Sequence, residues 1–144
     1  MQNKLYEIAL SLIPKIGPIK AKTLVSHIGS SEAIFKEKKQ NLGKFDGIGS
    51  FFLKDFNPKE YLLRAEKELK FMEQNGVDAL YYKDESYPKK LKEAIDSPLV
   101  IFTKGKIDFD RKNVAIVGTR KATAYGKSIT NKFVKDLADH NVNI

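Results

Sequence analysis

The segment that most restricts the fold is a short apolar run, Val114-Ala115-Ile116-Val117. It leads through Gly118-Thr119-Arg120-Lys121-Ala122-Thr123 into a stripe of Tyr125, Ile129, Phe133 and Leu137. The stripe falls at i, i+4, i+8 and i+12, the spacing of one helix face. Strand, glycine-led loop and helix in this order form the repeating unit of a parallel sheet, which needs cover on both faces. The helix start also turns its free N–H groups and the positive end of its dipole toward the loop, which makes an anion site. Charge is concentrated in the same place. Residues 111–135 hold seven basic side chains and no acid, whereas the whole chain of 144 residues has a formal net charge of +8. The other 119 residues therefore contribute only +1, and focused positive charge predicts an anionic partner.

The loop chemistry separates kinds of anion. A dinucleotide fingerprint requires three glycines in the pattern G-x-G-x-x-G, but only Gly118 and Gly126 are present. Arg120 and Lys121 fill the middle, where close backbone approach to a pyrophosphate demands small residues. Nor is there a G-x-x-x-x-G-K-[ST] string, because Lys121 stands where the upstream glycine of Gly126-Lys127-Ser128 belongs. The remaining reading is a loop that binds phosphate through side chains. Arg120 offers a bidentate fork, and Thr119, Thr123 and Ser128 offer hydroxyls. Lys127, Lys132 and Lys135 continue the patch along the helix, as a groove for single-stranded nucleic acid would. Tyr125 either stacks on a base or packs into a core. The candidate phosphate-binding residues are Gly118, Thr119, Arg120, Lys121, Thr123 and Lys127.

Other chemistry is sparse. The absence of cysteine excludes disulfides, thiolate metal sites and a cysteine nucleophile, and suits a reducing cytoplasm, the expected location. His27 and His140 have no ligand-like spacing. No cofactor, metal or catalytic residue is predicted. No apolar run approaches the roughly 18 residues that span a bilayer, so no membrane partner is expected.

Before residue 57 the chain reads as short helices punctuated by glycine and proline. Pro14 ends the first, Pro18 opens the second, Gly29 stops it, and Ser30 or Ser31 caps the next. Two turns, Ile13–Gly17 and Phe45–Gly49, resemble helix-hairpin-helix elements, in which Gly17, Gly47 and Gly49 are candidates for backbone contact with a DNA phosphate. Lys15 stands where the first turn's leading glycine is expected. Such paired turns also occur in SAM-like helical modules, which serve as packing or protein-contact domains. Pro58 opens a long amphipathic helix that Gly76 ends. Strands are expected at 77–82, 99–103 and 114–117, a turn over Asp84–Pro88 and a short helical piece over Leu91–Ile95. The expected organisation is a helical module over 1–56 followed, over 57–144, by the first part of a Rossmann-like domain. The fold class is α+β to α/β.

Several strings occur together: Ile13-Pro14-x-Ile16-Gly17-Pro18, Gly29-Ser30, Tyr87-Pro88-x-x-Leu91, and Asp96-x-Pro98-x-x-x-Phe102-x-x-Gly105. The last and most specific is Val114-Ala115-Ile116-Val117-Gly118-Thr119-Arg120-x-Ala122-Thr123-x-Tyr125-Gly126. Together they resemble the DNA-processing protein A family, called DprA or Smf. Thr119 takes the place of the usual serine and keeps its hydroxyl, and Ala124 stands where proline is frequent. The resemblance implies a SAM-like module joined to an extended Rossmann-like domain. It implies single-stranded DNA binding in a basic pocket that includes Arg120, without enzymatic turnover. It further implies assistance to the RecA recombinase during natural transformation, and a homodimer of the complete protein. It marks this chain as an N-terminal part of such a protein, so segment 77–140 is expected to be under-covered and DNA binding by the chain alone to be weak or absent. Two other readings stay open. One is a Rossmann-like nucleotide-phosphate hydrolase of the lysine-decarboxylase-like group, whose catalytic carboxylate would lie outside this segment. The other is a protein-interaction module in which the basic stretch is a solvated face.

Overall fold

Local signals in the sequence become helix ends in the computed structural model, which describes residues 2–144, with Gln2 and Leu53 described by their backbone alone. Helix α1 spans Gln2–Ser11 and α2 spans Pro18–Ile28. Pro18 occupies the first turn of α2, where its missing N–H costs nothing. Gly29 ends α2 at φ 106°, and its N–H bonds the Val25 carbonyl at 2.9 Å. Ser30 is the residue that caps α3 (Ser31–Lys36), accepting the Ala33 N–H at 3.0 Å. Short helices α4 (Lys39–Leu42) and α5 (Gly49–Lys54) follow. Helix α6 runs over Pro58–Asn75 and stops at Gly76 in the left-handed conformation.

Strand β1 (Val77–Tyr81) pairs antiparallel with β2 (Val100–Lys104), in the register Tyr81↔Val100 to Val77↔Lys104. Between them lies α7 (Lys89–Lys92). The Tyr87 hydroxyl donates to the Pro98 carbonyl at 2.7 Å and so closes this connection. The remaining elements are β3 (Lys112–Asn113), α8 (Ala124–Ala138) and β4 (Val142–Asn143), with β3 and β4 parallel. The fold is thus mixed helix and strand, with two small two-stranded sheets.

The chain forms two compact units, the first ending at Gly105 and the second comprising Lys106–Ile144. The first unit runs across residue 56, where the sequence suggests a boundary, because α6 packs on α1 and on β1. Its core joins Ile8, Leu10, Leu24 and Ile34 to an aromatic cluster. Phe52 meets Phe56 edge-on at 4.9 Å, and Phe56 stacks on Tyr61 at 6.0 Å. Burying each such side chain stabilises the fold by about 1.5–3 kcal/mol. Polar ties connect distant segments. Lys22 Nζ donates to Ser97 Oγ at 2.6 Å and to the Ile95 carbonyl at 3.2 Å. Ser31 Oγ and the Tyr81 hydroxyl share a buried hydrogen bond of 3.0 Å.

Two expectations for the second unit are corrected. Val114–Val117 is not a paired strand: the parallel ladder covers Lys112–Asn113 and ends with the Val114 N–H on the Asn143 carbonyl at 2.8 Å. The cause is the length of the partner, since β4 supplies two residues. Tyr125 is no core residue either. It is 76% exposed, and no residue of this unit is buried. The helical stripe exists, but it is only partly covered: Ile129 and Leu137 are half-buried, and Tyr125 and Phe133 are exposed.

Candidate nucleic-acid interface

In the second unit the Gly118–Thr123 loop and the start of α8 come together as the sequence predicts. Thr123 is the N-cap, in extended backbone, and its Oγ1 accepts the Gly126 N–H at 3.1 Å. The Thr123 carbonyl accepts the Lys127 N–H at 3.0 Å. Capping therefore uses a lone pair of the Thr123 hydroxyl and leaves its O–H proton available to an anion. The Thr119 hydroxyl instead donates to the Lys121 carbonyl at 3.1 Å, which tightens the loop and leaves that oxygen as an acceptor. The N–H groups of Ala124 and Tyr125 have no acceptor among the described residues, as the first turn of a helix requires. Arg120 and Lys121 are exposed, and neither pairs with a carboxylate among the described residues.

Gly118 is not demanded by the backbone. Its φ is not positive, and a Cβ placed there would meet nothing within 4 Å. A glycine at this point matters only if something outside the chain approaches the loop closely. Farther along α8, Ser128, Asn131, Lys132, Lys135 and Asp136 line a shallow cleft of about 310 Å³. The sequence pattern anticipates its serine and lysines but not Asn131, which shares their face at i, i+3 and i+4 spacing.

The two hairpin turns lie in the first unit and share a left-handed residue, although α5 starts at Gly49 while α2 starts one aligned position later, at Pro18. Gly47 takes φ 74°, and Lys15, at the matching position, takes φ 68°. The departure from glycine therefore leaves the turn intact at a cost of roughly 1–2 kcal/mol. Lys15 Nζ lies 3.9 Å from Asp55 and 5.9 Å from the centre of the Phe51 ring, contacts that offset part of this cost. Gly17 has an ordinary φ of −76°. Lys20 Nζ donates to the Gly47 carbonyl at 3.2 Å and so joins α2 to the second turn. A Cβ on Gly49 would lie 2.1 Å from the Gly43 carbonyl oxygen, so this glycine serves close backbone packing.

A cleft of about 380 Å³ in the first unit has no signal in the sequence, because residues far apart in the chain build it. Glu7, Ser31, Tyr81 and Asp84 line it. Burial, and then the neighbouring Asp84 carboxylate, push the Glu7 carboxyl above its usual range. Burial likewise pushes the Tyr81 hydroxyl well up, partly countered by its hydrogen bond with Ser31. Asp84 Oδ2 accepts the Tyr81 N–H at 2.9 Å.

Known proteins carry the same pattern. Residues 78–144 match the family of DNA recombination-mediator protein A. The chain is 31% identical to DNA processing protein DprA of Bacillus subtilis over 81 residues, covering 55% of this chain and 27% of that protein. It is 28% identical to Protein Smf of Synechocystis over 137 residues, covering 92% of this chain and 34% of that protein. Identity to Protein Smf of Borreliella burgdorferi is 32% over 101 residues, covering 67% of this chain and 32% of that protein. The chain thus spans about a third of the length of these curated relatives. The family match from Asp78 onward, with the Synechocystis likeness running through the helical segment as well, places the chain in the DprA/Smf family.

Proposed function

We propose that this chain contributes one wall of a single-stranded DNA site in a protein of DNA processing and recombination. Gly118, Thr119, Arg120, Lys121, Thr123 and Lys127 hold backbone phosphates. The carrying observation is the exposed Arg120 beside the open first turn of α8, within a stretch of seven bases and no acid. Arg120 supplies the bidentate fork, Thr123 a hydroxyl proton, and the Ala124 and Tyr125 amides the helix-end field. Tyr125, exposed at the same end, is placed to stack on a base. Such contacts follow the backbone without reading sequence. The family resemblance extends the reading to delivery of the strand to the RecA recombinase by the whole protein, acting as a dimer. The role is binding rather than turnover, as the family resemblance implies. The hairpin turns, in which Lys20 ties down the exposed Gly47 carbonyl and Gly49 packs on the Gly43 backbone, act in packing.

The test is anisotropy of labelled oligothymidylate titrated with the complete protein at several low salt concentrations. Arg120→Ala is expected to weaken binding and to reduce the salt slope by about one phosphate, roughly 0.7 units for a single strand. An unchanged affinity and slope would remove Arg120 from the site. Release of base or phosphate from nucleoside monophosphates would instead favour the hydrolase reading.

A further inference from the structure

The two outer edges of the β1–β2 sheet are unlike. Tyr82 N–H bonds the Leu99 carbonyl at 3.0 Å, which fixes Tyr82 and Leu99 as a hydrogen-bonded pair. By alternation, Leu80 with Ile101 and Asp78 with Thr103 also bond inward. The backbone groups of Tyr81 and Ala79 on β1, and of Val100, Phe102 and Lys104 on β2, therefore point outward. On β1 part of the edge is occupied: Asp84 Oδ2 takes the Tyr81 N–H at 2.9 Å, the Tyr81 carbonyl accepts the Asp84 N–H at 2.8 Å, and Lys4 Nζ donates to the Ala79 carbonyl at 2.5 Å. On β2, the N–H and carbonyl groups of Val100, Phe102 and Lys104 have no partner among the described residues.

The open edge borders an apolar groove of about 290 Å³, lined by Leu12, Ile16, Ala21, Pro98, Val100 and Phe102 among others. Phe102 is 51% exposed. No acid lines the groove, whereas Lys20 and Lys22 flank its lining residue Ala21 and Lys104 ends the strand, none of them paired with a carboxylate among the described residues. An unpaired edge beside an apolar trough is what strand addition requires. Caps at Tyr81 and Ala79 make β1 the less open of the two edges.

We propose that the β2 edge is a docking site for an extended segment of a partner protein, one that alternates apolar residues and carries acidic flanks. Main-chain hydrogen bonds to Val100, Phe102 and Lys104 hold it, alternate side chains enter the groove, and the lysines select the acidic ends. This site is separate from the phosphate-binding residues and does not depend on their assignment.

The probe is the acetylated, amidated peptide Glu-Val-Thr-Val-Thr-Val-Glu, added to the full chain and followed by amide NMR and hydrogen exchange. Expected results are protection of the Val100, Phe102 and Lys104 amides, about tenfold weaker binding when alternate peptide nitrogens are methylated, and severalfold weaker binding when both glutamates become lysine. Phe102→Pro removes an outward N–H that the β1 ladder does not use, so it is expected to abolish binding while β1–β2 exchange stays slow. If that variant fails to fold, the methylated peptide on the unaltered chain still decides the matter. Equal binding of the methylated or the lysine-ended peptide overturns the proposal. Protection that grows with protein concentration without peptide overturns it too and assigns the edge to a second copy, while protection produced only by oligothymidylate assigns it to nucleic acid.

Discussion

The unit ending at Gly105 and the unit Lys106–Ile144 are built from similar sequence material and reach different degrees of order. Both contain an apolar run and an amphipathic helix with well-defined ends, but only in the first does the run form a paired strand. In the first, the stripe of α6 finds α1 and β1, and Tyr61, Ala65 and Met72 are buried. In the second, α8 is capped by Thr123 and keeps its stripe, yet Phe133 is 58% exposed and Val117 91%. Caps and periodicity suffice to form a helix. Only a partner surface converts the stripe into stability.

The contrast is sharpest in truncation of large side chains. Phe52→Ala is expected to cost about 3–5 kcal/mol. Phe133→Ala should stay within about 0.5 kcal/mol in the same urea titration followed by circular dichroism. A large loss at Phe133 would mean that the apolar face of α8 is covered in solution. Next in size is Gly49→Ala, whose Cβ would collide with the Gly43 carbonyl at 2.1 Å. Because both sides of that contact are backbone, a loss of about 1–3 kcal/mol in the urea midpoint is expected, confined to the first unit.

Thr123→Ala removes the cap of a helix with little tertiary support, so about 1 kcal/mol should be lost from α8. Faster amide exchange over residues 124–130, with unchanged exchange in α6, would show it. The smallest effect concerns Glu7. Its carboxyl is raised in the folded state, so the fold binds more protons than the unfolded chain between the ordinary carboxylate value and the raised one, and stability falls as pH rises through that window. Glu7→Gln is therefore expected to raise the melting temperature by about 1 °C at neutral pH, after discounting for solvent screening. The gain should vanish below the ordinary carboxylate range. A gain that persists there would trace the effect to packing.

Helix ends were legible in the sequence because each rests on a single residue's local chemistry: Pro18, Gly29, Pro58, Gly76. The Gly118–Thr123 loop was legible for the same reason, since Gly118, Arg120 and Thr123 lie within six residues of one another. Strand pairing was not, because Val114–Val117 looks like a strand whether or not a neighbour exists. The positive φ of Lys15 could not be read from lysine, which disfavours it. The cleft of Glu7, Ser31, Tyr81 and Asp84 depends on contacts across about half the chain, where no spacing rule applies.

Those long contacts matter for how the chain is made. Lys22 reaches Ser97 and Lys4 reaches Ala79, each across 75 positions, and Ser31 meets Tyr81 across 50. A ribosome releases the first helices several seconds before β2, at synthesis rates of about 5–20 residues per second. During that interval Lys22 and Ser31 lack their partners and the apolar faces of α1 and α2 stay open. The nascent segment is then expected to be protease-sensitive when synthesis halts near residue 60 and resistant when it halts well past residue 105. Equal resistance at both lengths would show that the helices settle before the strands arrive.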